Sequence, residues 1–266
     1  MLAAMRYLLV STLLTATSMG CTKNVDALPA TSDASVTAAP SSSSAAAVKW
    51  DLSIDAHGTT HVDMSGAALP IVGDTSASMG SLVVTPSDLS QSRGAVIIDL
   101  ASFTTHALDG GADDAKHTKE AAAWFELVGD AGSGQSFRWA SFAIRSIGGL
   151  SASDLTKVAP SKDGGTDVRT VTMTLHGDLL LHGHKVQRDT VVDVSFRYPA
   201  GAPAESKPLR VEIATKDPVN LVLKDFDVRP RDASTGALAP RTSKATANMA
   251  PSANVSVKLS ASPSSS

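Results

Sequence analysis

The sequence predicts an all-β domain, an antiparallel barrel closed on itself and interrupted by one short helix. Three observations carry that expectation. Apolar residues recur with a period of two through most of the middle of the chain. Gly, Pro and Asp punctuate those runs at short intervals. Only one segment has helical composition, Asp114–Glu126, through Lys119-Glu120-Ala121-Ala122-Ala123-Trp124-Phe125.

The elements follow in order. Trp50–Ile54, His61–Met64, Gly80–Thr85, Ala95–Leu100 and Ser136–Arg145 read as the first strands. In the last of these the apolar set changes parity between Trp139 and Phe142, which a β-bulge at that point explains. Val171, Met173 and Leu175 alternate with Thr172, Thr174 and His176, and the run continues to Leu179 and Leu181. Past a turn at His182-Gly183-His184-Lys185, Val192, Val194, Phe196 and Tyr198 alternate with Asp193, Ser195 and Arg197. Leu209, Val211 and Ile213 make a further strand, and Leu221–Val228 a last one after Asp217-Pro218. About eight to ten such strands close into a barrel, and closure removes the edges an exported protein must otherwise protect.

The two ends of the 266-residue chain read differently. Residues 1–21 have the pattern of an export signal: Arg6, an apolar run from Tyr7 to Leu14, then small residues. The run is too short to span a ~30 Å hydrocarbon core. Ser18-Met19-Gly20-Cys21 resembles a bacterial lipobox, with Ser18 where Leu is usual, so Cys21 is expected to carry a lipid. Ordinary cleavage after Gly20, leaving a free thiol, is the alternative. Residues 22–47 are Ala, Ser, Thr and Pro, a flexible tether with too little apolar surface to offset chain entropy. Residues 242–266 are expected to be a low-complexity tail of the same character, despite the short alternation of Val255, Val257 and Leu259. One domain remains, 48–241.

Composition excludes several classes of function. With 23 Lys+Arg against 26 Asp+Glu there is no basic surplus for nucleic acid. One Cys rules out an intramolecular disulfide and any Cys-rich metal centre. Gly132-Ser133-Gly134 lacks the spacing of a nucleophile elbow, and neither Gly110-Gly111 nor Gly164-Gly165 precedes a Lys-Ser/Thr phosphate loop. Asp109–Asp114 supplies oxygen ligands without EF-hand spacing. His176, His182 and His184 would hold zinc or copper only if they converged, and exposed histidines near a turn are the commoner arrangement. No catalytic group and no cofactor are expected. Aromatics make up only 4% of the chain, so aliphatic side chains line the barrel and leave free volume inside. By alternation, the inward-facing residues, and so the candidates for ligand binding if the barrel holds a ligand, are Val83, Ile97, Trp139, Met173, Leu175, Leu179, Leu181, Val192, Val194, Phe196, Val211, Ile213, Leu221 and Leu223.

Gly177-Asp178-Leu179-Leu180-Leu181-His182-Gly183, followed by Lys185, Val186 and a strand, resembles the G-D-L-T-L-H-G…K-x-V motif of the YceI-like family. Asp55-Ala56-His57, Gly80–Leu89 with Ile97–Thr105, Trp124–Val128, Phe137-Arg138-Trp139 and Lys224–Val228 resemble its other segments in the same order. Departures are the missing Arg before Asp113–Thr118 and a longer, more polar loop from Gly149 to Asp167. The resemblance implies an extended lipocalin-like barrel holding a long amphiphile, typically a polyisoprenoid, with His182 in a turn or barrel-end role. The sequence is thus read as a non-catalytic lipoprotein of the bacterial periplasm, anchored to the outer membrane. A barrel filled by its own side chains, with protein partners on the loops Gly149–Asp167 and Pro199–Pro208, is the rival reading.

Overall fold

A computed structural model of the chain describes residues 47–64, 71–106, 114–128, 137–240 and 250–264. The expected export signal, Cys21, nearly all of the 22–47 tether and Gly132-Ser133-Gly134 lie outside those residues. The strands are β1 (Trp50–Ile54), β2 (Thr59–Met64), β3 (Ile71–Thr75), β4 (Ser78–Val84), β5 (Arg93–Asp99), β6 (Thr104–Thr105), β7 (Trp139–Gly148), β8 (Ser161–Asp163), β9 (Thr166–Leu181), β10 (His184–Pro199), β11 (Arg210–Thr215), β12 (Val219–Val222) and β13 (Ser252–Pro263). The single α-helix among the described residues, α1, is Asp114–Trp124.

Hydrogen-bonded neighbours run β1–β4–β5–β7–β9–β10–β11–β13 and back to β1, a closed antiparallel ring of eight. The remaining strands lengthen its staves. β2 continues β1 along one flank of β13, and β12 continues β11 along the other. β3 precedes β4, and β6 follows β5. Each stave presents alternate residues to the interior, as in Trp50, Leu52 and Ile54 of β1 or Val192, Val194 and Phe196 of β10. The fold is therefore an all-β, lipocalin-like barrel with one helical insert.

The longest hairpin, β9–β10, is joined by the two residues His182 and Gly183, both at positive φ (51° and 76°). That is the geometry of a type I′ turn, whose twist suits long right-twisted strands. Earlier on β9, Gly177 gives up its side chain to a neighbour. A Cβ there would stand 2.5 Å from Phe142 Cζ and 2.6 Å from the Ala143 carbonyl oxygen.

Three expectations are corrected. Residues Ser252–Pro263, assigned to a low-complexity tail, form β13 and close the ring. Its inward residues include Ala253 and Ala261, too small to register as a hydrophobic face, and its partners lie far away in sequence. Leu221–Val228 is not one strand: β12 ends at Val222, and Leu223–Phe226 is a 3₁₀ turn closed by Asp227 at positive φ. The bulge in β7 falls between Ile144 and Ser146 rather than between Trp139 and Phe142. The Gly149–Asp167 loop packs against the barrel. Leu155 is fully buried in the core, and β8 adds to the edge of β9.

Because β13 supplies the last two ladders, a chain ending at Asn248 should lose cooperative unfolding. Circular dichroism melting should show a broad transition, and dye binding should report exposed apolar surface. A truncated chain that melted sharply at the full-length midpoint would show that the barrel does not need β13.

Candidate functional site

The lumen is not filled by side chains. It holds a cavity of about 180 Å³ and, towards the end where β10 finishes, a smaller one of about 50 Å³. Leu175 and Ile213 wall both. On β10 the inward residues Arg188, Thr190 and Val192 line the larger cavity, and Val194 and Phe196 the smaller. From Arg188 to Phe196 the extended strand covers ~26 Å at about 3.3 Å per residue, which at a barrel tilt of ~40° is a path of about 20 Å along the axis.

Aromatic clusters stop the path at both ends. Beyond Phe196, Trp50 packs on it and on Tyr198, with ring centroids 6.2 and 6.4 Å apart. At the other end Phe125 stands edge-on to Phe103 at 6.3 Å, with Trp124 and Phe226 buried beside them. Phe125, at the end of α1, lines the larger cavity, while Trp124 is packed away from it.

The expected binding residues divide cleanly. Met173, Leu175, Leu179, Leu181, Val192, Val194, Phe196, Val211, Ile213, Leu221 and Leu223 all line one or both cavities. Val83, Ile97 and Trp139 line neither. Their neighbours Leu82, Val84, Val96 and Ile98 face inward instead, so the expected parity of β4 and β5 is reversed. Short unbroken apolar runs such as Val96-Ile97-Ile98 carry no alternation from which parity can be read. Trp139 lies under the Arg138 guanidinium, 4.8 Å from its ring centroid, and Arg138 in turn clamps Asp99. Residues that the sequence reading missed include Phe142, made room for by Gly177, and Val255, Val257 and Leu259 of β13.

Among the described residues one stretch of wall has no ladder. β10 pairs with β11 only from Val192 to Arg197, and β12 pairs with β13 alone. The lower half of β10 instead meets the 3₁₀ turn that follows β12 through side chains. Arg188 reaches Asp225 of the 3₁₀ turn at 3.2 Å and lies 5.9 Å over the Phe226 ring.

The three histidines do not converge. His176 pairs with Asp189 at 2.8 Å on the outer surface, and His184 is exposed. Among the described residues no cluster of His, Cys, Asp or Glu is arranged to hold a metal. His182 is buried, and its Nδ1–H donates to the Phe226 carbonyl at 3.0 Å. Its ring stacks near Phe137 at 4.2 Å, and Nε2 lies 3.4 Å from Glu126 Oε1. Glu126 occupies the left-handed position after α1, where Gly is usual, and is held there by an ion pair with Arg231. The hairpin turn, the helix end and the 3₁₀ turn are thus tied together beneath the lumen. On the outer face Asp178 accepts from Arg145 at 2.6 Å and pairs with Lys185 at 3.0 Å. The Arg145 hydrogen bond, then that of Lys185, holds its carboxyl below the usual range.

Burial lowers the His182 pKa below the ordinary 6.5, and the nearby carboxylate is already neutralised by Arg231. The unfolded chain therefore binds the proton more readily, so stability should fall as pH drops below about 6.5. His182→Gln should flatten that slope between pH 7 and 5 in denaturant titrations. His182→Ala, which strands the Phe226 carbonyl, should cost about 1–3 kcal/mol at pH 7. An unchanged slope in the Gln variant would remove His182 from this role.

Among the described residues no helix is long and apolar enough to cross a membrane. No family model matches the chain, and no curated protein sequence does. Solved structures similar to it include two that match over nearly their whole length. BcnA of Burkholderia cenocepacia shares 16% identity over 78% of this chain and 98% of its own, with a TM-score of 0.48. A polyisoprenoid binding domain from Saccharophagus degradans, implicated in plant cell wall breakdown, shares 14% identity over 80% of this chain and 98% of its own, with a TM-score of 0.49.

Proposed function

We propose that this protein is a non-catalytic YceI-like carrier that sequesters one long-chain amphiphile, a polyisoprenoid or quinone-like lipid, inside its barrel. The observation that carries the proposal is the apolar lumen between two aromatic ends, about 20 Å along the barrel axis. Half of a ~30 Å hydrocarbon core, about 15 Å, is the reach of an ordinary lipid tail. The path is longer, and suits an extended prenyl chain. Burying a methylene contributes roughly 0.8 kcal/mol, so a ~20-carbon chain offers on the order of 15 kcal/mol before ordering costs. Even half of that corresponds to micromolar binding or better. The unfilled lumen favours this reading over a side-chain-filled scaffold that acts through its loops.

In the same proposal the export signal delivers the chain to the bacterial envelope, and Cys21 carries the acyl chains that hold it to the outer membrane through the 22–47 tether. Cys21→Ala should move the protein from the membrane fraction to the soluble one. Persistence in the membrane fraction would point to another anchor.

Native mass spectrometry with organic extraction, on protein beginning at Thr22, tests the carrier. A bound species that elutes as a prenyl lipid is expected. Leu179→Trp, which fills the larger cavity, should reduce uptake at least tenfold, whereas Val191→Trp on the outer face of β10 should leave it unchanged. A clean protein mass after incubation with polyprenols and quinones would overturn the carrier.

A further inference from the structure

The lumen carries a polar band at its waist. Thr60 of β2 and Thr75 of β3 are direct cross-strand partners, both facing inward and only 5% and 1% exposed. Thr190 faces inward from β10, one inward step from Val192 and one from Arg188. All three line the larger cavity, and none of the three hydroxyls has a hydrogen-bond partner within the protein. Counted round the ring, the stave of β3 and β4 and the stave of β10 are four apart in eight, so Thr75 and Thr190 stand on opposite walls. Thr215, between them, is different. Its Oγ1 accepts from the Val257 N–H at 3.0 Å, filling the gap in the ladder where β13 passes from β12 to β11.

Unpartnered hydroxyls are costly in a wall, and valine would keep the same shape without them. In the present rotamers the lumen sees their carbon atoms. One staggered step about χ1 exchanges methyl for hydroxyl and turns the oxygen inward. Among the described residues one charged side chain lines the cavity, Arg188, and it is already paired with Asp225, so an anion entering the band would meet no free counter-charge from them.

We infer that the threonine band is a headgroup subsite for a neutral oxygen-bearing group, a carbonyl or hydroxyl, carried on the apolar chain. The inference rests on the carrier reading above. It selects within that class: neutral oxygenated chains over plain hydrocarbons and over carboxylates.

The test is competition binding with three probes: geranylgeraniol, the hydrocarbon of the same skeleton, and the corresponding carboxylate at pH 8. The wild type should bind the alcohol roughly three- to tenfold more tightly than the hydrocarbon, and the carboxylate no better than the hydrocarbon. The variant carrying Thr60→Val, Thr75→Val and Thr190→Val should keep hydrocarbon binding and lose the preference for the alcohol. Its melting temperature should be equal to the wild type's or higher. Equal wild-type binding of alcohol and hydrocarbon overturns the subsite and leaves the carrier standing. So does a preference that survives in the triple variant, or a triple variant that melts lower because its hydroxyls serve the fold. If the carboxylate binds best, the subsite is anionic and the inference fails. If no probe binds, the carrier reading fails with it.

Discussion

Ring closure through β13 is the constraint on which the rest of the structure depends. One flank of that strand pairs with β11 and β12, as Ile213 opposite Leu259 and Leu221 opposite Ala253. The other pairs with β1 and β2, as Ser53 opposite Ser262 and Val62 opposite Val255. Without it the sheet has two long open edges, each a template for association. The corner between β1 and β2 is fastened to the same strand. The Asp55 N–H donates to the Ser260 carbonyl at 2.8 Å, and the Ser260 hydroxyl donates to the Asp55 carboxylate at 2.7 Å. Burial works to raise the Asp55 pKa, and hydrogen bonds from Ser260, Ser262 and Arg210 outweigh it. Gly58 completes the corner by letting its N–H reach Ser78 Oγ at 3.0 Å.

A closed ring of eight can be solid or hollow, and the placement of aromatic side chains decides which. Six Phe, three Trp and two Tyr are few for the chain, and they are not spread evenly. Trp50, Phe196 and Tyr198 fill one end, and Phe103, Trp124, Phe125 and Phe226 the other. At the waist only Phe142 projects inward, and the rest of the wall is dominated by Val, Leu, Ile, Ala and Thr. Aromatic ends and a thin-walled waist produce a lumen that is long, narrow and mainly apolar. The tie from His182 to the Phe226 carbonyl sits under one aromatic end, so the geometry of the cavity floor is coupled to the hairpin turn beside it.

How much of this is legible in the sequence varies with the element. β9 and β10 alternate strictly around their centres, so Met173, Leu175, Val192 and Val194 are readable as inward from pattern alone. In β4 and β5 the runs Leu82-Val83-Val84 and Val96-Ile97-Ile98 are apolar on both faces, and only the ladder register shows which residues point in. Trp139 misleads because a large aromatic is normally inward, whereas here it serves as a platform for Arg138. β13 is hidden by composition: Ser, Ala and Asn are prominent in it, and its pairing energy comes from strands roughly 40 to 200 residues away. The threonine band is invisible for the opposite reason. A threonine in an alternating run reads as an outward residue, and its inward register emerges only when Thr60, Thr75 and Thr190 are placed on the same ring.

A hollow of this size also bears on stability. Enclosed cavities lined by apolar side chains cost about 24 cal/mol per Å³, so about 180 Å³ left unfilled by side chains costs at most roughly 4 kcal/mol. Against a typical domain stability of about 5–15 kcal/mol that is a large fraction. Larger side chains at Leu175, Leu179 or Ile213 would recover it with no change of topology. The aliphatic waist thus gives up stability that a folded scaffold has no reason to forgo, whereas a carrier regains it from its cargo by mass action. Stability and affinity are then two readings of the same walls: any substitution that fills the waist should raise the melting temperature of the protein alone and lower the further gain that a bound chain provides.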